Sequence, residues 1–121
     1  MSGETFFRYL RRNHNHWSSN AFYRKGWGHA YNVPPADPFG NLIWFYRIAR
    51  KHQRSPRWFW FYLGKASAYA TRFAELLGPQ RAEDAVYTYL RTIARRDPDF
   101  LAEFEPDVAY DVPLDDGDVF A

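Results

Sequence analysis

The chain has no cysteine among its 121 residues, which excludes disulfides, thiolate nucleophiles and cysteine-ligated zinc. It also has no long apolar run. The block of large apolar side chains from Trp58 to Leu63 is only six residues long, far short of the ~20 that a membrane-spanning helix needs. The opening residues, "MSGETFFRYLRRNHNHW", contain no apolar stretch of signal-peptide length, so no membrane span is expected and the cytoplasm is the default compartment. Glycine-rich phosphate cradles of the G-x-G-x-x-G or G-K-[ST] kind are missing, and with them any sign of a nucleotide cofactor. No cofactor or resident metal is expected. Internal repeats and sets of alternating strands are lacking too, which favours an all-α fold.

Acidic residues are nearly missing from one part of the chain. Residues 1–72 hold 12 Lys or Arg against 2 acids, Glu4 and Asp37, for a net of +10, while residues 73–121 hold 4 against 12, for −8. Segregation of this kind points to a polyanionic partner, to head-to-tail association of copies, or to an acidic end that shields a basic face.

What the sequence has in abundance is aromatic side chains, 21% of residues, with Trp 5, Tyr 9 and Phe 11. Aliphatic residues are few, so much of the buried area must be aromatic. Such rings are also the groups that proteins place against partners or stack on bases.

Read for periodicity and punctuation, the chain suggests a compact bundle of four to five helices over residues 1–105, a single helical domain, followed by an extended acidic tail over 106–121. "ETFFRYLRR" reads as a short helix stopped at Asn13. The stretch 26–41, "GWGHAYNVPPADPFGN", reads as the longest loop. Asp37 with Pro38 opens a helix through about Gln53, with Phe39, Leu42, Ile43 and Tyr46 facing the core. Ser55 with Pro56 repeats that start signal for the longest helix, closed at Leu77 by Gly78 and Pro79. A further helix covers about Gln80 to Arg95 on Ala82, Ala85, Val86, Tyr89 and Ile93. Asp97 and Pro98 start a short last one carrying Phe100, Leu101 and Phe104. The tail, "PDVAYDVPLDDGDVFA", mixes five aspartates with Val, Tyr, Leu and Phe and has no base.

Three surfaces stand out. Arg47, Arg50, Lys51 and Arg54 fall at i, i+3, i+4, i+7, a spacing that sets four cations in a row along one helix face, as a phosphate backbone requires. An ordinary solvated face would mix the two signs of charge. On the longest helix, Phe59, Tyr62, Leu63, Ala66, Tyr69, Ala70, Phe73 and Leu77 share an apolar face. Trp60 and Phe61 fall on another side, among Arg57, Lys65, Arg72, Gly64 and Ala68. That side suits either bases stacked on the rings or a protein approaching closely over the small residues, with Tyr110 and Leu114 of the tail as further anchors. Arg8, Arg11 and Arg12 on the first helix, together with Arg24, Lys25 and Trp27 before and within the loop, would extend the basic patch. The plain alternative for each surface is packing or solvation.

"NHNHW", with His14 and His16, offers an H-x-H pair, but two further metal ligands would have to come from elsewhere, and His29 and His52 are the only other imidazoles. Two histidines near Lys25 would also suit acid–base cleavage of RNA, a remote alternative. The expected partners are therefore RNA or single-stranded DNA, met by a non-enzymatic small helical subunit of a larger assembly. Other protein subunits or further copies of the chain are the second candidates.

Overall fold

A computed structural model describes residues 6–32 and 37–97. They form helices α1 (Phe6–Arg12), α2 (His14–Trp17), α3 (Ala21–Tyr31), α4 (Pro38–Lys51), α5 (Pro56–Leu77) and α6 (Pro79–Ala94), with no strand among the described residues. The all-α expectation holds, with more helices than the four to five expected. The proposed last helix after Asp97 and the acidic tail with Tyr110 and Leu114 lie outside the described residues.

Local chemistry sets most of the boundaries. Asn13 ends α1, its side-chain amide donating to the Tyr9 carbonyl at 3.0 Å, and the single turn α2 follows at once. Asn20 caps α3, its side-chain oxygen accepting from Tyr23 N–H at 3.0 Å. Asp37 does the same for α4 through Gly40 N–H at 2.9 Å, with Pro38 in the first turn, where its missing N–H costs nothing. Gly78 separates α5 from α6 with φ +89° and ψ 147°, a region that side-chain-bearing residues pay about 1–3 kcal/mol to enter. Pro79 then starts α6.

α5 is the axis of the domain. α3 runs along it in the same direction, Phe22 meeting Arg57 and Tyr31 meeting Arg72. α4 packs against another side in the opposite direction, with Phe39 against Phe73 and His52 against Tyr62. α6 turns back from Gly78 and crosses to α1, where Arg8 Nε and Glu83 Oε2 form an ion pair at 2.6 Å. α1 and α2 close one end through Phe6 on Tyr46, Tyr9 on Trp17 and Trp17 on Trp60.

This central position of α5 overturns part of the sequence reading. Trp60 is 1% exposed and belongs to the core, while Trp58, two residues earlier, is 54% exposed. Helical phase correctly separated Trp60 from the Phe59–Leu63–Ala66–Ala70 stripe. It did not reveal that a second set of helices covers that other side as well.

Gly64 and Ala68 are buried for the same reason. A Cβ on Gly64 would run into the Tyr23 carbonyl and come within 3.0 Å of Trp27 N, and one on Gly26 would run into the Phe61 carbonyl. Gly26 on α3 thus rests on the Phe61 backbone and Gly64 on α5 rests on the backbone of Tyr23 and Trp27, so that the two glycines bring the helices together, each followed at i+4 by a buried alanine, Ala30 and Ala68. The small residues do serve a close helix contact, but within the chain. The same contact explains why 26–31 is helix rather than loop: Gly26 stands there for clearance, not for a turn. On α6, Ala82, Val86 and Leu90 are buried, whereas Ala85 and Tyr89 are exposed. The buried stripe therefore lies slightly to one side of the expected one.

Candidate nucleic-acid interface

Once α3 is helical to Tyr31, Phe22, Lys25 and His29 share one of its faces at i, i+3, i+7. That face lies beside the start of α5, where Arg57, Trp58 and Phe61 project at i, i+1, i+4. The six side chains line an open notch of about 350 Å³. Lys25, His29, Arg57 and Trp58 are exposed, and Phe22 and Phe61 are half-buried. Trp58 and His29 each meet Phe61 edge to face, with centroids 6.1 and 5.8 Å apart. The Arg57 guanidinium lies 5.9 Å from the Phe22 centroid.

Rings and cations continue beyond the notch. The Lys65 ammonium sits 5.1 Å from the Phe61 centroid and 5.0 Å from that of Phe45, a double cation–π arrangement that keeps the charge at the surface. Tyr62 stacks with Trp58, His52 and Phe45, and Phe45 with Tyr69, so that one aromatic row follows the α4–α5 seam. Burial in this row pushes the Tyr69 phenol above its ordinary pKa and keeps it neutral. Ser55, Pro56, Arg57 and Trp58 shape an adjoining hollow of about 300 Å³.

The structure brings Lys25, Arg57, Lys65 and Phe61 of the expected residues together here, and adds Phe22 and Trp58, which the sequence reading had not assigned. The other expected residues fall elsewhere. α4 ends at Lys51, so Arg54 lies in the turn before α5, and its i+7 spacing does not set it on the helix face. Arg47 and Arg50 are half-buried, and Lys51 and Arg54 are exposed. Arg47 lines a different hollow of about 360 Å³ with Asp37, Phe39, Gly40, Ile43, Trp44 and Tyr89. Arg8 is held by Glu83, and Arg12 leans over the Tyr9 ring at 5.7 Å, while Arg11 is exposed. Arg24 donates from Nη1 to the Ser18 carbonyl at 2.6 Å.

Trp27 is no stacking platform. It is half-buried between Tyr31, stacked at 4.3 Å, and His14 at 5.1 Å. His14 itself lies against the buried Tyr23 hydroxyl, Nδ1 to Oη 2.9 Å. Burial lowers the His14 pKa from 6.5. It pushes the Tyr23 phenol far above its usual range, with Ser67 acting in the opposite direction. Both groups are therefore neutral near pH 7, and the hydrogen bond between them takes its direction from the imidazole tautomer. That engagement takes one of the two imidazoles an RNA-cleaving site would use and ties it into the α2–α3 packing. Among the described residues, no three His, Asp or Glu side chains gather where they could share a metal ion.

A second surface is apolar. Phe39, Phe73, Ala85, Thr88 and Tyr89, with Asp84 at the rim, line a hollow of about 660 Å³ between α4, α5 and α6. Phe39 and Tyr89 also border the hollow that holds Arg47, where Trp44 stands 59% exposed. Among the described residues, no helix is long and apolar enough to cross a membrane. Comparison with known proteins finds no matching family model, no similar curated protein and no similar solved structure.

Proposed function

We propose that this chain is a non-enzymatic helical subunit that binds RNA or single-stranded DNA through the α3–α5 face and works within a larger assembly. The observation that carries the reading is the notch, where Lys25 and Arg57 stand beside the rings of Phe22, Trp58 and Phe61. Single strands are bound in this way: cations follow the backbone, and rings take the faces of bases that no partner strand covers. Charge supports it as well. All 16 Lys and Arg lie in the described residues, against five carboxylates there, Asp37, Glu75, Glu83, Asp84 and Asp97.

A second reading, a structural subunit joined to other proteins or to further copies of itself, draws on the apolar hollow between α4, α5 and α6 and on the exposed Trp44. The two readings are compatible, because the surfaces involve different residues.

A salt titration of oligonucleotide binding tests the first. Log K should fall steeply with log salt, by about 0.7 per phosphate neutralised on a single strand. Replacing Lys25 and Arg57 together by alanine should flatten that slope and weaken binding across all sequences. Binding that ignores both salt and the double substitution would refute the proposal and favour an aromatic protein interface.

A further inference from the structure

Building on the nucleic-acid reading, we infer that the notch between α3 and α5 is a single-base site, in which one unpaired base stacks on Trp58 while the phosphates on either side of it meet Lys25 and Arg57. Its size, about 350 Å³, lies at the lower end of the range for small-ligand sites, roughly 300–1,000 Å³. That suits one flat ring system and not a duplex, whose bases hide their faces against one another.

The chemistry is asymmetric in the required way. Trp58 offers the largest exposed π surface in the notch, and its indole is fixed by edge contact with Phe61 and by stacking on Tyr62. A platform held by two neighbours loses little freedom when a base settles on it. The cations come from opposite walls, Lys25 from α3 and Arg57 from α5. His29 stands at the α3 edge with ring nitrogens able to hydrogen-bond to base or phosphate.

The rest of the surface provides the contrast. The apolar hollow of about 660 Å³ is larger, yet its one charged residue is Asp84, whose carboxylate would repel a phosphate. Trp44 is as exposed as Trp58, but its hollow pairs Arg47 with Asp37, so the local charge nearly cancels. The adjoining hollow shares Trp58 and Arg57 with the notch, but only the notch adds a second cation, Lys25, on the facing helix, with no acid. A cationic ligand would be rejected there, and a bare phosphate would leave the rings unused.

The test compares two dye-labelled single strands of equal length, a short thymidine oligonucleotide and its abasic counterpart, binding to the full chain at low salt by fluorescence anisotropy. Both carry the same backbone charge. The thymidine strand should bind roughly tenfold tighter or more, the factor that one base–aromatic stack provides. Trp58→Ala should bring its affinity down to the abasic level and leave the abasic strand's affinity unchanged, while Trp58→Phe should keep most of the difference. Trp58 is exposed, so the fold is not at stake in these variants. Equal affinity for both strands in the unaltered chain overturns the base site and leaves backbone binding standing. Absence of binding to either strand overturns the base site and the nucleic-acid reading together, as does Trp58-dependent binding of a polyglutamate peptide in their place.

Discussion

At the scale of single residues, His14 is the group whose protonation the fold resists. Burial lowers its pKa from 6.5, so between that lowered value and 6.5 the unfolded chain binds more protons than the native one. Stability should therefore be complete above pH 7 and fall as the pH drops through 6.5, levelling off below the lowered pKa. Thermal melts of the unaltered chain and of His14→Gln across pH 5–8 check this: the unaltered chain should gain more Tm on going from acid to neutral pH than the variant. Parallel curves would show that His14 is not the group responsible. Trp58 and Trp60 teach a second lesson at this scale. They are chemically identical and two positions apart on one helix, yet one packs in the core and the other stands in solvent. The difference comes wholly from which neighbouring helices arrive.

At the scale of elements, the α3–α5 seam depends on the absence of two Cβ atoms. Ala at Gly64 or Gly26 would drive a methyl into the backbone of the opposite helix, which cannot swing aside as a side chain would. Each change should cost about 1–3 kcal/mol, the usual penalty for overpacking. Gly28 provides the control. Its nearest contact would be the Asn32 amide at 3.9 Å, so Gly28→Ala should instead stabilise α3 by about 0.5–1 kcal/mol through helix propensity. Chemical denaturation of the three variants measures the contrast. Loss at position 28 equal to that at 64 would mean that the glycines serve flexibility, not clearance. The seam also shows where the sequence was legible and where it was not. The starts of α4 and α5 could be read from Asp37-Pro38 and Ser55-Pro56, because caps and prolines act locally. α3 could not be read through Gly26 and Gly28, since a glycine kept for a distant backbone looks, in sequence, like one kept for a turn.

For the whole molecule, charge is the property most visible in the sequence and least dependent on the fold. The basic excess of residues 1–72 is a matter of counting, and the structure adds where the cations sit: Lys25, Arg57 and Lys65 near rings, Arg8 on Glu83, Arg24 on Ser18. The half of the candidate site on α5 was partly legible, because Phe61, Arg57 and Lys65 could be placed on one side of a helix. Phe22 could not be linked to them without knowing that α3 lies alongside, whereas Trp58, three residues before Phe61 on the same helix, was within reach of spacing alone. Long-range attraction follows net charge. Removing residues 106–121 deletes five aspartates and no base, and should raise the affinity for polyanions and steepen its dependence on salt. Anisotropy titrations of the full and shortened chains with one oligonucleotide decide it. Identical curves would show that the acidic end neither competes for nor screens the basic face.

The backbone contact at Gly26 and Phe61 also has a consequence for the energetics of binding. Phe61 supplies both the carbonyl that rests on Gly26 and the ring that lines the notch, so the two walls are joined at a point neither can leave without breaking helix-to-helix contact. A site with walls fixed in this way has little slack to remove when a guest enters. Its association should carry a small entropic penalty on the protein's side, and what ordering remains would fall on the guest.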